Sequence, residues 1–221
     1  MLTYTEENYL KSIYSLTKRG DKGASTNDIA EKMQTKASSV TDMLKKLGKK
    51  GLISYTPYKP VKLSEKGRDW AIMTIRKHRL WEVFLVDKLN FKWDEVHDIA
   101  EELEHVNSPD LIEKLDDFLG RPTHDPHGDP IPDKSGNIAL HKDFTIADLM
   151  ENQYGMIIGL KDTSSEFLQF LESTELTLGK TVRVKEVIGY DQSMLVSINM
   201  VKEVSISHRV AKNLYIKKLS K

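Results

Sequence analysis

The spacing of apolar residues over the first fifty positions predicts three helices. The run TYTEENYLKSIYSLTKRG carries apolar side chains at intervals of three and four, and Thr5 is a suitable N-cap for it. A short helix is predicted over residues 26–33 and a longer one over residues 38–49, after the break QTKA. Gly51 is placed to end the third helix.

Two short strand-like runs follow around a proline-containing turn, in the segment LISYTPYKPVKLSEKG. Helix, turn, helix and a two-stranded wing together form the winged helix-turn-helix motif, which docks a helix into DNA. The pattern therefore predicts a DNA-binding unit at the start of the chain.

The pattern of the middle third predicts more helix. A long helix is expected over residues 64–89, followed by an acidic helix in VHDIAEELEH and a third helix that begins at the N-cap Ser108 and ends at Gly120. Four of the seven prolines then fall within residues 120–133. This proline-rich stretch predicts an irregular segment at the edge of a domain.

From about Phe144 onwards the pattern is typical of β-structure. The runs KTVRVKEVI and SMLVSINM alternate between apolar and polar residues, KNLYIKKL closes the chain, and one helical run, SEFLQFLEST, interrupts them. We expect a small β-barrel here. The predicted fold class is mainly α with a smaller β part.

Composition and charge narrow the class of protein. The 221 residues are 39% hydrophobic and 30% charged, with no run long enough to span a membrane and no signal-peptide core, so a cytoplasmic protein is expected. Cysteine is absent, which leaves no thiolate ligand. Residues 1–60 hold eleven Lys and Arg against six Asp and Glu, whereas residues 91–133 hold three against thirteen, with four of the seven histidines. A basic N-terminal part and an acidic, His-rich middle part are typical of a protein that binds one polyanion and one cation.

The segment VHDIAEELEH, residues 96–105, is the candidate metal-binding helix. Wound as a helix, it carries its apolar residues on one side. Its possible ligands lie on the other side: His97, Glu101, Glu104 and His105. In the long helix before it, His78 and Glu82 are four residues apart and share a face. Six donors could therefore surround one or two ions. The alternative is a salt-bridged pair of helices in which Arg76 or Arg79 neutralises the glutamates.

Taken together, the runs TEENYLKSIY, IAEKMQTKASSVTDMLKKL, LSEKG, RKHRLWEVFL, VHDIAEELEH and HDPHGDPIP resemble the DtxR/MntR family of metal-dependent transcriptional repressors. The resemblance covers essentially the whole chain. It implies a winged helix-turn-helix domain at residues 1–65, a helical dimerisation and metal-binding domain at 66–122, a Pro-rich linker at 123–143 and a FeoA-like small β-barrel at 144–221. The motif PHGxxIP is similar to that of the manganese-responsive streptococcal and staphylococcal members.

The resemblance also implies two metal sites per subunit. The primary, activating site takes its ligands from the first helix and the acidic helix: Asn8, Glu101, Glu104 and His105. His78 can join this site. The second site draws on the two central helices, the Pro-rich segment and the barrel: His78, Glu82, His97, Asp125, His127 and Asp162. Asn8 stands where the family carries aspartate or methionine, and Asp125 stands where streptococcal relatives carry cysteine.

The implied function is that of a repressor which, when loaded with metal, binds a palindromic operator as a homodimer and controls metal homeostasis genes. The primary-site donors are an amide oxygen, two carboxylates and an imidazole, a hard set that suits Mn²⁺ first and Fe²⁺ second. The helices between residues 94 and 119 also carry more apolar positions than a small domain should expose, which favours a dimer.

Small hydroxyl residues open the predicted recognition helix, and lysines surround it. Ser38, Ser39 and Thr41 could reach base edges or phosphates, and the helix N-terminus attracts phosphate. Candidates for contacts with the DNA backbone come from the turn, the helix and the wing: Lys36, Lys45, Lys46 and Lys59.

Two other classes of protein are weighed against the repressor. A metallohydrolase could use the same kinds of side chain, but the sequence has no HExxH motif, glycine-rich phosphate loop or nucleophile motif, so an enzyme is not expected. A winged-helix regulator that answers an organic ligand would not need the clustered histidines and glutamates. Metal dependence of DNA binding separates the three classes.

Overall fold

A computed structural model describes residues 2–17, 23–138 and 144–219 of the chain. The first part of the fold is helical, and its elements are α1 (Tyr4–Thr17), α2 (Thr26–Lys32) and α3 (Ala37–Lys49). A two-stranded antiparallel wing follows, made of β1 (Ile53–Ser54) and β2 (Lys62–Leu63). The predicted winged helix-turn-helix arrangement is confirmed, with the helix bounds within one residue for α2 and α3.

The start of α1 differs from the sequence prediction. The Oγ1 atom of Thr3 accepts a hydrogen bond from the Glu6 N–H at 3.3 Å, and the Glu6 carboxylate accepts one from the Thr3 N–H at 2.9 Å. This reciprocal capping box makes Thr3 the cap, and the prediction of Thr5 as N-cap is wrong. Glutamate three residues after Thr3 can return the bond, whereas the residue three after Thr5 is Asn8.

The wing is held close to the next helix by a glycine. A Cβ on Gly67 would lie 1.9 Å from the Leu52 carbonyl oxygen, so only glycine permits this approach. Leu52 belongs to the core of the DNA-binding unit, in which the apolar faces of α1 and α3 meet through Leu10, Ile13 and Leu44. Helices α1 and α3 thus contribute to one continuous apolar core.

Three helices form the middle of the molecule: α4 (Glu65–Leu89), α5 (Val96–Leu103) and α6 (Pro109–Phe118). Ser64 and Ser108 cap α4 and α6 through hydrogen bonds from the N–H groups of Gly67 and Leu111, and the Ser108 cap confirms its prediction. The long helix α4 packs against α1, α5 and α6, so it lies at the centre of the helical part. Among the described helices, none has the length and apolar character needed to cross a membrane.

The C-terminal sheet domain, residues 144–219, has five antiparallel strands in the order β6-β5-β4-β3-β7. Its elements follow a 3-10 turn (Ile146–Asp148) and are β3 (Tyr154–Leu160), α7 (Ser165–Thr174), β4 (Thr181–Val187), β5 (Met194–Ile198), β6 (Lys202–Ile206), α8 (His208–Lys212) and β7 (Leu214–Leu219). The predicted helix SEFLQFLEST matches α7 residue for residue. Buried side chains of the strands, α7 and α8 share one core. The sequence predicts a small β-barrel; among the described strands β6 and β7 are the two edges and do not pair with each other, so the sheet is not closed.

The C-terminal sheet domain is docked on the helical part. The Leu160 N–H donates to the His127 carbonyl at 3.1 Å, and Gln169 Nε2 donates to the Asp94 carboxylate at 2.9 Å. Trp93 also packs against the core of the sheet. The Pro-rich segment that carries His127 therefore lies between the helical part and the C-terminal sheet domain. Residues 139–143 of the predicted linker lie outside the described residues.

Candidate metal centre

One carboxylate, that of Glu82, lies among three imidazoles. Its Oε1 atom is 3.0 Å from His78 Nε2, 3.6 Å from His97 Nδ1 and 3.7 Å from His127 Nδ1. Ligand atoms of Glu82, Asp125 and His127 also lie within 4.8 Å of one another, as do those of Glu82, His78 and His97. We call these five residues the Glu82 cluster. They come from α4, α5 and the Pro-rich segment, the elements on which the resemblance places the second site.

The fold of each element explains the Glu82 cluster. His78 and Glu82 are one turn apart on α4, and both are buried; His97, from the first turn of α5, is half-exposed and lies on the solvent side. Asp125 folds the Pro-rich segment, because its Oδ1 atom accepts hydrogen bonds from the N–H groups of His127 and Asp129, each at 2.9 Å. That turn presents the His127 ring to Glu82.

Proton affinities in the Glu82 cluster are strongly perturbed. Burial opposes the charge of Glu82, but the nearby imidazoles of His127, His78 and His97 outweigh it and hold the pKa of this carboxyl below its usual range. Burial likewise disfavours the charged form of His78, yet its hydrogen bonds to Glu104 and Glu82 raise the pKa of the imidazole to about 9. Positive charge at this point is therefore strongly favoured.

On the Pro-rich side of the cluster, the pKa values of Asp125 and His127 are both raised. Burial, together with the charges of Glu82 and Asp129, raises the pKa of the Asp125 carboxyl to about 7, although Arg79 opposes the shift. Burial would lower the pKa of His127, but the neighbouring Glu82 carboxylate raises it. Carboxylates and imidazoles are thus concentrated in a small, largely buried volume. Nitrogen and oxygen donors without sulfur are a set that fits Mn²⁺ or Fe²⁺.

The predicted primary-site residues lie nearby, where α1 meets α5. Glu104 is fully buried and its Oε2 atom is 2.7 Å from His78 Nδ1, so His78 connects this region with the Glu82 cluster. The Asn8 Oδ1 atom is buried and has no hydrogen-bond partner among the described residues. A buried amide oxygen without a partner is costly, which fits a position left for a cation.

Two charged residues of α1 that sequence reasoning did not assign to the site contact it directly. Lys11 Nζ lies 2.8 Å from both oxygens of Glu104 and 3.1 Å from Glu101 Oε1. Glu7 Oε2 lies 2.7 Å from His105 Nδ1, and both residues are buried. The signal was present in the spacing, because residues 7, 8 and 11 share one face of a helix.

The salt-bridge alternative was wrong about the partners of both arginines. Arg76 pairs with Asp116 of α6 at 2.9 Å, and Arg79 pairs with Asp129 of the Pro-rich segment at 2.8 Å. These arginines extend from α4 towards α6 and the Pro-rich segment rather than towards the glutamates of α5. The lysine Lys11 instead contacts both Glu101 and Glu104.

One predicted ligand lies apart from the cluster. Asp162 follows β3, is half-buried, and its Oδ1 atom accepts a hydrogen bond from the Ser164 N–H at 3.0 Å. Within the described ranges, neither of the two candidate ligand groups includes it. Its role as a ligand stays a prediction.

The predicted DNA-contacting residues lie on α3 and the wing. Lys36, Ser38 and Ser39 are exposed at the start of α3, whereas Thr41 is half-buried and its hydroxyl donates to the Ala37 carbonyl at 2.9 Å. A groove between α3 and the wing is lined by Thr41, Lys45 and Lys59, among others. Lys46 is engaged by a buried partner, since its Nζ atom lies 3.1 Å from Glu6 Oε1.

Comparison with protein families accounts for almost the whole chain. Residues 1–61 match the N-terminal DNA-binding domain of iron-dependent repressors, residues 64–133 match the iron-dependent repressor metal-binding and dimerisation domain, and residues 144–218 match the FeoA domain. All three parts stand in the order that the resemblance implies.

Individual relatives agree. The chain is 38% identical over 131 residues to the iron-dependent repressor IdeR of Mycobacterium tuberculosis, a match that covers 59% of this chain and 56% of that protein. The diphtheria toxin repressor of Corynebacterium efficiens is 34% identical over the same length, and again 56% of it is covered. The matched part therefore spans just over half the length of these curated relatives.

Two solved structures are similar over nearly their full length. A manganese-dependent transcriptional repressor in complex with manganese superposes with a TM-score of 0.87 at 30% identity, covering 97% of this chain and 100% of the other. The manganese regulator SloR superposes with a TM-score of 0.77 at 33% identity, covering 99% and 100%. The chain therefore belongs to the DtxR/MntR family of metal-dependent transcriptional repressors.

Proposed function

We propose that this chain is a repressor that binds a palindromic operator as a homodimer once it is loaded with a divalent metal, Mn²⁺ first and Fe²⁺ second, and that it acts in the cytoplasm on metal homeostasis genes. The observation that carries the proposal is the Glu82 cluster: three imidazoles and two carboxylates gathered from three separate parts of the chain. Buried carboxylates and imidazoles gathered in this way are donors suited to a divalent ion.

The metal would be held at two sites per subunit. His78, Glu82, His97, Asp125 and His127 would supply the second site, with Asp162 as an outer candidate. The primary site would use Asn8, Glu101, Glu104 and His105, with His78 between the two sites. Hard donors and room for six ligands favour Mn²⁺, because Zn²⁺ prefers four-coordinate sites. Bound metal supplies positive charge that joins the carboxylates of α5 to the first helix.

The effect on DNA would pass through α1. This helix carries Asn8 at the metal-binding side and, through Glu6, contacts Lys46 and Lys50 at the end of α3. A change in the position of α1 relative to α5 would therefore alter the position of the recognition helix. Lys36, Ser38, Ser39, Thr41, Lys45 and Lys59 would face the operator, with the lysines on phosphates.

Dimerisation would use an apolar face of the helical part. Five large apolar side chains between the end of α4 and the end of α6 are exposed in the single chain: Leu89, Phe91, Val106, Leu111 and Phe118. Exposed apolar side chains in one region of a chain indicate a protein interface. A two-fold dimer also matches the symmetry of a palindromic operator.

Titration of operator binding with a chelator tests the proposal. An operator is first selected from random duplexes in the presence of Mn²⁺, and its affinity is then followed by fluorescence anisotropy as EDTA removes the metal. We expect specific binding to be lost and only weak, salt-sensitive binding to remain. Equal affinity with and without metal would instead indicate a metal-independent regulator. Metal-dependent hydrolysis without operator binding would indicate a metallohydrolase.

A further inference from the structure

Lys11 lies between the two glutamates at which the proposed primary metal would bind. Its ammonium contacts both carboxylate oxygens of Glu104 and one of Glu101, so it takes the bidentate position on Glu104. Glu104 is fully buried, and a buried carboxylate requires a close cation. In this structure Lys11 supplies that charge together with His78, whose Nδ1 atom lies 2.7 Å from Glu104 Oε2.

A divalent ion and the Lys11 ammonium exclude each other at this position. Both would need the same oxygens of Glu104, and two positive charges a few ångströms apart repel strongly in a largely buried site. The ion can therefore bind only if the lysine withdraws. Lys11 has a way out, since its side chain is 20% exposed while that of Glu104 is 0% exposed.

We propose that Lys11 is a built-in competitor that sets the metal concentration at which the primary site fills. In the metal-free chain it neutralises Glu101 and Glu104 and so holds α1 against α5. Metal binding replaces this tethered single charge with a double charge, and Lys11 moves to solvent. The inference rests on the proposed function, and it adds a threshold of metal concentration for filling the same primary site.

The competition has a consequence that a merely structural ion pair would not have. Removal of the lysine should weaken the metal-free fold but tighten metal binding, because the carboxylates are left without a cation. Replacement by arginine should do the reverse, since a guanidinium holds a carboxylate with two parallel hydrogen bonds and is harder to displace. The two substitutions therefore move the metal affinity in opposite directions.

The experiment uses the full chain with Lys11→Met and Lys11→Arg. Lys202→Met is the matched control, because it removes a lysine from an ion pair of similar length, 2.9 Å to Glu175, in the C-terminal sheet domain. Binding of Mn²⁺ is followed by electron paramagnetic resonance of the free ion at fixed pH and ionic strength. Thermal unfolding is measured with EDTA and with saturating Mn²⁺.

For Lys11→Met we expect one Mn²⁺ per chain to bind at least about tenfold more tightly than in the wild type. The midpoint of unfolding should fall in EDTA and recover in Mn²⁺. Lys11→Arg, which keeps the charge and so the metal-free fold, should bind that ion more weakly, and Lys202→Met should bind it as the wild type does. Wild-type affinity in both Lys11 variants, or shifts in the same direction, would overturn the role of Lys11 alone. A wild-type chain that binds no Mn²⁺ would overturn the proposed function and this inference together.

Discussion

Glu6 Oε1 lies 2.7 Å from Lys50 Nζ, and this ion pair joins the first turn of α1 to the residue that caps the end of α3. The Glu6 side chain is 0% exposed and also contacts Lys46. Burial alone would raise the pKa of Glu6, but hydrogen bonds from Lys50, the Thr3 backbone and Lys46 lower it to about 2. Helix α1 and the recognition helix are thus joined by ion pairs.

Glu6→Gln should loosen this connection. Loss of charged hydrogen bonds to a buried group should lower the free energy of unfolding by about 1–3 kcal/mol. Lys46 and Lys50 would then be free to bind phosphate, so affinity for random DNA should rise while the preference for operator falls. Anisotropy titrations with both duplexes measure this ratio. Glu175→Gln, which breaks an exposed ion pair with Lys202, is the control and should leave the ratio unchanged.

Glu82→Gln should remove one metal per chain. Glu82 Oε1 is the atom shared by the three imidazoles, and an amide there is a much weaker ligand than a carboxylate. Equilibrium dialysis against Mn²⁺ should give one bound ion instead of two. Glu113→Gln is the control, because Glu113 also pairs with a residue of α4, Arg76, but lies outside the cluster. Two tightly bound ions in the Glu82 variant would show that this cluster is not a metal site.

Metal binding should release a proton from His78. Because the pKa of this imidazole is raised to about 9, it is protonated in the metal-free chain at pH 7.5, and it must be neutral to act as a ligand. Apparent affinity for Mn²⁺ should therefore rise with pH and level off above about pH 9. Calorimetry in buffers of different ionisation enthalpy counts the protons released. Binding that takes place without proton release would exclude His78 as a ligand.

Gly128→Ala should separate the Pro-rich segment from β3. Gly128 has φ +84°, and an added Cβ would lie 2.3 Å from the Ile158 carbonyl oxygen. The change should shift His127 and detach the C-terminal sheet domain, which Trp93 fluorescence and proteolysis of the segment would report. Gly120→Ala is a matched control, since Gly120 also has a positive φ, +77°, but has open space around it. It should cost only about 1 kcal/mol of backbone strain and leave the docking intact.

Local patterns were enough to predict most elements of the fold. Helix caps such as Ser108 are read directly from the sequence because the cap and its partner are three residues apart. The cap of α1 was misplaced because Thr3 and Thr5 are both good caps, and only the returning bond from Glu6 decides between them. Strand β6 was not singled out, since only one of its five residues is fully buried.

The sequence predicted which side chains gather at the candidate site, but not which charged residues of other elements pair with them. Helical spacing gathers His78 with Glu82, and the acidic helix adds His97, but spacing alone does not say which cation enters from another element. Lys11 and Glu104 are 93 residues apart in the chain, so only the packing of α1 on α5 brings them together. By its position in the sequence, Glu7 is an ordinary acidic residue in the first turn of a helix. In the folded chain the same packing buries it against His105.

Coupling between metal and operator is the central claim, and it is reciprocal by thermodynamic necessity. The most direct measurement is therefore the affinity for Mn²⁺ of the dimer alone and of the dimer bound to its selected operator, under the same buffer and salt. We predict tighter Mn²⁺ binding on the operator, with a gain that, over all ions bound by the dimer, equals the gain in operator affinity produced by Mn²⁺. Identical Mn²⁺ affinity in the presence and absence of operator would contradict the account.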